Sequence, residues 1–218
     1  MSQRQINNRE ALLDTAEALF ASHGYYLVTV REITRKAGVR IAEINDLFGS
    51  KEQLFYEVIK RRAVSINLMR CQALADIDAR LPADQQLAKI LAAFFDPLLF
   101  VSGKGEGWRN YLRLVPQIMK QRTPILVMIT EFYTPVSDLF LKRLEKLYPQ
   151  IPAVQLRRHW HFSLMVFFSV FGDEFRIGDL DYTPELMPAP GQQDLQTAFS
   201  EAMAFVNAGF RNLLGHSA

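Results

Sequence analysis

Residues 37–52, AGVRIAEINDLFGSKE, gather side chains able to grip or read a polyanion. Arg40 and Lys51 are cations, Asn45 carries a donor and an acceptor on one amide, and Ile41 and Ala42 offer apolar surface. The layout is that of a short helix entering DNA. Two acids, Glu43 and Asp46, lie in the same stretch and would face phosphate unless turned elsewhere. Other chemistries find no support. His159 and His161 are two positions apart and on a helix point about 200° from one another, so they cannot share a metal. The loop Ser102-Gly-Lys-Gly-Glu-Gly107 lacks the residue order of a phosphate loop. No nucleophile elbow, dinucleotide fingerprint or paired-carboxylate pattern occurs. The expectation is a binding protein, not an enzyme, with no metal and no cofactor.

Composition agrees with an ordinary globular chain. Of 218 residues, 49% are hydrophobic and 22% charged, enough apolar material for a core plus a pocket or interface. The net charge is only +2, but all of it falls early: residues 1–62 hold ten Lys/Arg against eight acids, and the remainder balances at fifteen each. That mild bias suits a nucleic-acid partner for the N-terminal part. The apolar runs 90–101 and 163–172 fall short of the about 20 residues that span a bilayer. The N-terminus has no apolar signal region. A lone Cys71 cannot form an internal disulfide. These features lead to the expectation of a cytoplasmic protein with no membrane partner.

The segments on either side of 37–52 read as helices punctuated by Gly and Pro. Asn7 and Glu10 form a capping-box pattern ahead of the stripe Leu12, Leu13, Ala16, Leu19 and Phe20, and Gly24 ends that helix. Thr29-Val-Arg-Glu32 caps a second helix that Gly38 stops. Ile41, Ile44 and Phe48 share a face of a third, stopped by Gly49. Ser50-Lys-Glu-Gln53 opens a long fourth helix toward residue 79. Short helices closed by Gly and followed by a long one define a helix-turn-helix unit and a connector. Beyond residue 80 the spacing predicts helices over about 83–101 with a kink at Pro97, 108–120, 124–148 interrupted by Pro135, 152–175, and 194–214. The stretch 176–193 reads as an irregular linker. The fold class is all-α, with a helix-turn-helix domain at 1–50, a connecting helix at 51–79, and a larger helical domain at 80–218.

With these elements in place, residues 9–59 resemble the DNA-binding domain of the TetR family of bacterial transcriptional regulators. The resemblance rests on ALLDTAEALFASHGYYLVTVREITRKAGV followed by LFGSKEQLFYEVI. The IAEIN run is similar to a branch of that family with Asn where most members have Tyr, some members of which answer to fatty-acid derivatives. The resemblance implies that 41–47 is a recognition helix in the major groove. It also implies that Thr29 is a phosphate-contacting cap, that Arg31 touches base or phosphate, and that Lys51 touches phosphate. Departures from the family pattern fall at Arg40, Asn45 and Leu47. Arg40 adds a cation, and Asn45 can pair bidentately with adenine. Glu43 can accept from cytosine N4 or act as a solvated helix residue, and Ile41 and Ala42 can meet thymine methyls. Asp46 reads better as a tolerated acid than as a reader.

For the larger domain, the resemblance implies a homodimer that holds two recognition helices about 34–36 Å apart on a palindromic double-stranded operator. Leu195, Phe199, Ala202, Val206 and Leu213 form the apolar stripe assigned to that interface. Phe94, Leu98, Trp108, Tyr111, Leu112, Met128, Phe132 and Phe168 are the candidates for a pocket for a small apolar or amphipathic effector. The expected function is a ligand-responsive regulator, most simply a repressor released by its effector. The alternative is a ligand-binding or protein-interaction dimer whose DNA-binding domain has lost operator recognition.

Overall fold

The computed structural model describes residues 2–119, 124–172 and 192–215. Their regular structure is helical throughout: α1 (Gln3–Leu27), α2 (Val30–Ala37), α3 (Ala42–Leu47), α4 (Lys51–Ala75), α5 (Ala83–Ser102), α6 (Glu106–Met119), α7 (Pro124–Leu147), α8 (Ala153–Phe171) and α9 (Gln192–Gly215). The predicted linker at 176–193 and the Thr123 cap of α7 lie almost entirely or wholly outside the described residues.

Several boundaries move for local reasons. Helix α1 starts four residues before the predicted cap because Ser2 and Gln5 complete their own capping box: Gln5 N donates to Ser2 Oγ at 3.3 Å, and Ser2 N donates to Gln5 Oε1 at 2.8 Å. Asn7 instead accepts from the Gln3 side chain at 3.1 Å. Gly24, at φ +76° and ψ 161°, breaks α1 three residues before its end. Helix α4 ends at Ala75 rather than 79, and the chain turns through 76–81. Pro97, Pro116 and Pro135 all lie inside helices, so Pro135 does not interrupt α7.

The chain forms two compact units, each discontinuous in sequence. The first comprises Met1–Asn67 and Lys104–Tyr133, the second Leu68–Gly103 and Thr134–Ala218. In the first, α1 packs on α2, α3 and α6. Its core contains Leu12, Ala16 and Phe20 from α1 with Leu54, Phe55 and Val58 from α4, all fully buried. The rings of Phe20 and Tyr25 meet Phe55 edge-on at 5.1 and 4.9 Å. In the second unit, α9 packs on α8 and α5. Its centre is aromatic: Phe94 meets Phe140 and Trp160 edge-on, and Phe95 stacks on Phe167 at 3.8 Å. Each of these side chains, taken out of water, contributes about 1.5–3 kcal/mol.

Candidate nucleic-acid interface

The helix-turn-helix segment is built by its caps. Thr29 Oγ1 accepts from the Glu32 amide at 3.2 Å and so fixes the start of α2. Accepting uses an oxygen lone pair and leaves the hydroxyl hydrogen free for a phosphate oxygen. Gly38 closes α2 in the left-handed region at φ +70°, and the Val39 amide returns to the Thr34 carbonyl at 3.0 Å. A side chain would strain this turn, which is why glycine stands there. Helix α3 is then anchored by Ile44 and Phe48, 1% and 7% exposed. Arg9 lays its guanidinium 5.4 Å from the Phe48 ring centre.

What remains outward is a small, mixed surface. Ile41, Ala42, Asn45 and Asp46 are exposed on or next to α3, as are Thr29, Arg31 and Arg40. Glu43 is different. It is 7% exposed, and its carboxylate accepts from Arg40 Nη2 at 3.2 Å. The acid is therefore enclosed and engaged by the cation three positions earlier. Asp46 is exposed.

Lys51 opens α4 and lies half-buried with its ammonium 4.2 Å from the Tyr25 ring centre. Burial lowers its pKa. Tyr25 donates its phenol hydrogen to Glu52 Oε1 at 3.0 Å, and burial together with that acid pushes its pKa well above the ordinary range. Glu52 is held below the usual carboxylate range by a hydrogen bond from its own amide, then by Tyr25 and Ser50. Sequence reading did not find this trio, because Tyr25 meets residues 26 and 27 positions away and no local spacing signals it. The Ser50 cap beside it was visible in the sequence: its hydroxyl accepts from the Gln53 amide at 3.1 Å.

The residues selected for an effector pocket divide between the two units. Trp108, Tyr111, Leu112, Met128 and Phe132 belong to the first, and Phe94, Leu98 and Phe168 to the second. Several already have packing roles: the Arg62 guanidinium lies 4.7 Å over Trp108, the Tyr111 and Tyr133 hydroxyls are 3.0 Å apart, and Phe132 packs on Tyr56. A cavity of about 670 Å³ in the second unit is lined by other residues, from α4, the 76–81 turn and α5. The stripe selected for self-association also needs correction. Phe199, Ala202 and Val206 are 4–6% exposed and face the interior of a single protomer. Leu195 and Leu213 are half-buried at its ends, and among the described residues the large apolar side chain that α9 turns outward is Phe205, 69% exposed. No group of His, Cys and acidic residues among those described has the arrangement to hold a metal. No described helix is long and apolar enough to cross a membrane.

Capped helices around a left-handed glycine turn, with a short helix anchored by two apolar residues, define a helix-turn-helix protein of all-α architecture. Residues 12–58 match the family profile described as bacterial regulatory proteins, tetR family. Residues 92–209, more than half of the chain, match that of the tetracyclin repressor-like C-terminal domain. The chain belongs to the TetR family of bacterial regulatory proteins. It is 37% identical over 86 residues to the HTH-type transcriptional regulator BetI of Agrobacterium fabrum, covering 39% of this chain and 41% of that protein. The match thus spans less than half the length of that relative. The fold is similar to FadR of Bacillus subtilis, solved in complex with stearoyl-CoA, at TM-score 0.62 and 16% identity over 92% of this chain and 98% of that one. It is similar also to NalD of Pseudomonas aeruginosa, the secondary repressor of the MexAB-OprM multidrug efflux pump, at TM-score 0.61 and 19% identity over 95% and 97%. At those identities the likeness is one of fold.

Proposed function

We propose that this protein is a dimeric, operator-binding repressor whose hold on DNA is released by a small, largely apolar or amphipathic effector. The observation that carries the reading is the exposed surface of Ile41, Ala42 and Asn45 flanked by Thr29, Arg31 and Arg40, on a helix anchored from beneath by Ile44 and Phe48. Asn45 is the natural adenine reader, Ile41 and Ala42 meet thymine methyls, and Thr29, Arg31 and Lys51 serve phosphates. Glu43, enclosed and paired, orients Arg40 and reads no base. Two such surfaces are needed to span successive major grooves, and the outward side chains Phe162 and Met165 of α8 with Phe205 of α9 are the apolar face that a second copy would cover. Small residues, Ala204, Ala208 and Gly209, surround Phe205 on the exposed side of α9 and permit close helix approach. The effector acts by binding one spacing of the dimer better than the other. The stearoyl-CoA of the FadR complex is amphipathic in this sense.

The test is fluorescence anisotropy with labelled DNA from upstream of the protein's own gene, at several salt concentrations and against a scrambled duplex. Sequence-dependent binding that falls steeply with salt supports the reading. Equal, weak binding to both DNAs and to further candidate operators would overturn it and favour a protein that works through its larger domain alone.

A further inference from the structure

A groove of about 670 Å³ in the second unit runs between the end of α4, the 76–81 turn and one face of α5. Small residues, Ala73, Ala92 and Ala93, line it and account for the space, while Met69 and Ile77 supply apolar wall. The size is that of a small-molecule site. None of the eight residues selected above for an effector pocket lines it.

Its charge is lopsided. Asp76, Asp78 and Asp96 line it against a single ammonium, that of Lys89. Asp78 is occupied, its two oxygens taking Arg80 Nε and Nη2, each at 3.0 Å. Asp96 is not: among the described residues no hydrogen bond or ion pair engages its carboxyl, and its partial burial pushes its pKa up. It remains exposed, so a ligand can reach it. Next to it Pro97, inside α5, has no amide hydrogen to return to the Ala93 carbonyl. Ala93 and Pro97 both line the groove, which adds an acceptor without its helical donor to an acid without a partner.

We propose that this groove binds an amphipathic organic cation, with the positive centre against the Asp96 carboxylate and the Ala93 carbonyl and the apolar body along Met69 and Ile77. An anion of the same size meets the unpaired Asp96 carboxylate, with Asp76 also in the lining, and binds more weakly. A metal ion is not the occupant, since no suitable ligand group exists among the described residues.

Tetraphenylphosphonium and tetraphenylborate are nearly the same shape with opposite charge, and calorimetric titration of each into the full-length protein separates charge from greasiness. One tetraphenylphosphonium is expected to bind per chain, with tetraphenylborate at least about tenfold weaker. Asp96→Asn should weaken the cation by about tenfold, the loss of one charge-assisted contact. Ala92→Trp should fill the groove and remove binding; should that variant not fold, Asp96→Asn decides. Equal affinity for the two ions, or cation affinity unchanged in Asp96→Asn, overturns the proposal. The titration needs no DNA, so its failure is distinct from a failure of operator recognition.

Discussion

Arg40, just before α3, and Asn45, on it, are both exposed, and they should fail differently when removed. On the proposed reading Asn45→Ala removes a base contact, so the favoured operator should lose about 1–3 kcal/mol while a scrambled duplex loses little and the salt slope holds. Arg40→Ala deletes a cation, so binding to every sequence should weaken and the slope against salt should fall by about one. Anisotropy titrations over a salt series distinguish them; identical losses on both duplexes for Asn45→Ala would remove it as a reader. Glu52 has a folded pKa below its ordinary value, so its contribution to stability is complete above about pH 4.3 and is lost as pH falls through the folded value. Thermal melts of the protein and of Glu52→Gln should therefore differ at neutral pH and converge in acid; a constant gap would rule the group out. Much of this surface was legible in the sequence because caps are local: Thr29, Gly38 and Ser50 each act within four residues. The enclosure of Glu43 was not legible, since a helix of six residues has too few turns for its pattern to say which polar residue turns inward.

At the scale of elements, the junction of α1, α4 and α6 depends on one buried acid. Glu17 is 1% exposed and takes Arg61 Nη2 at 2.7 Å and Arg62 Nε and Nη2 both at 2.9 Å. Arg62 in turn lies over Trp108, and Gly107 leaves room that a Cβ would take from the same guanidinium. Glu17→Ala leaves two arginines, each 20% exposed at the side chain, short of their common anion. Removing one partner of a buried pair costs about 3–5 kcal/mol, and the partial exposure places the expected loss near the lower value. Urea unfolding measures it; an unchanged midpoint would show that the arginines find other partners at no cost. The helices themselves were visible from apolar spacing. The latch was not, because Glu17 meets side chains 44 and 45 positions away. Pro135 misled for a related reason: a proline is a local signal to break, whereas continuation of α7 through it depends on packing that no local signal reports.

At the scale of the whole molecule, the proposed operator recognition requires a second copy, and α9 shows why the face was hard to choose from sequence. Its apolar residues fall on two sides. Phe199, Ala202, Val206 and Phe210, at spacings of three and four, are 1–6% exposed and complete the core with α8, while Phe205 points away. Periodicity detects a buried stripe but cannot tell whether the partner that buries it is the same chain or another. The effector pocket suffers the same ambiguity, since aromatic residues chosen for size divide between two compact units and mostly pack. Phe205→Glu tests the assembly directly. It removes no core contact, so the helical circular dichroism and the melting of the single chain should persist, but a charge on each of two facing helices is repelled across the two-fold axis. Light scattering behind a sizing column should then report a monomer, and anisotropy should show operator affinity falling toward that of one half-site, because a monomer cannot hold two recognition helices in successive grooves. A Phe205→Glu protein that stays dimeric would move the interface off this face of α9, and one that is monomeric yet binds the full operator undiminished would show that the two copies bind DNA independently.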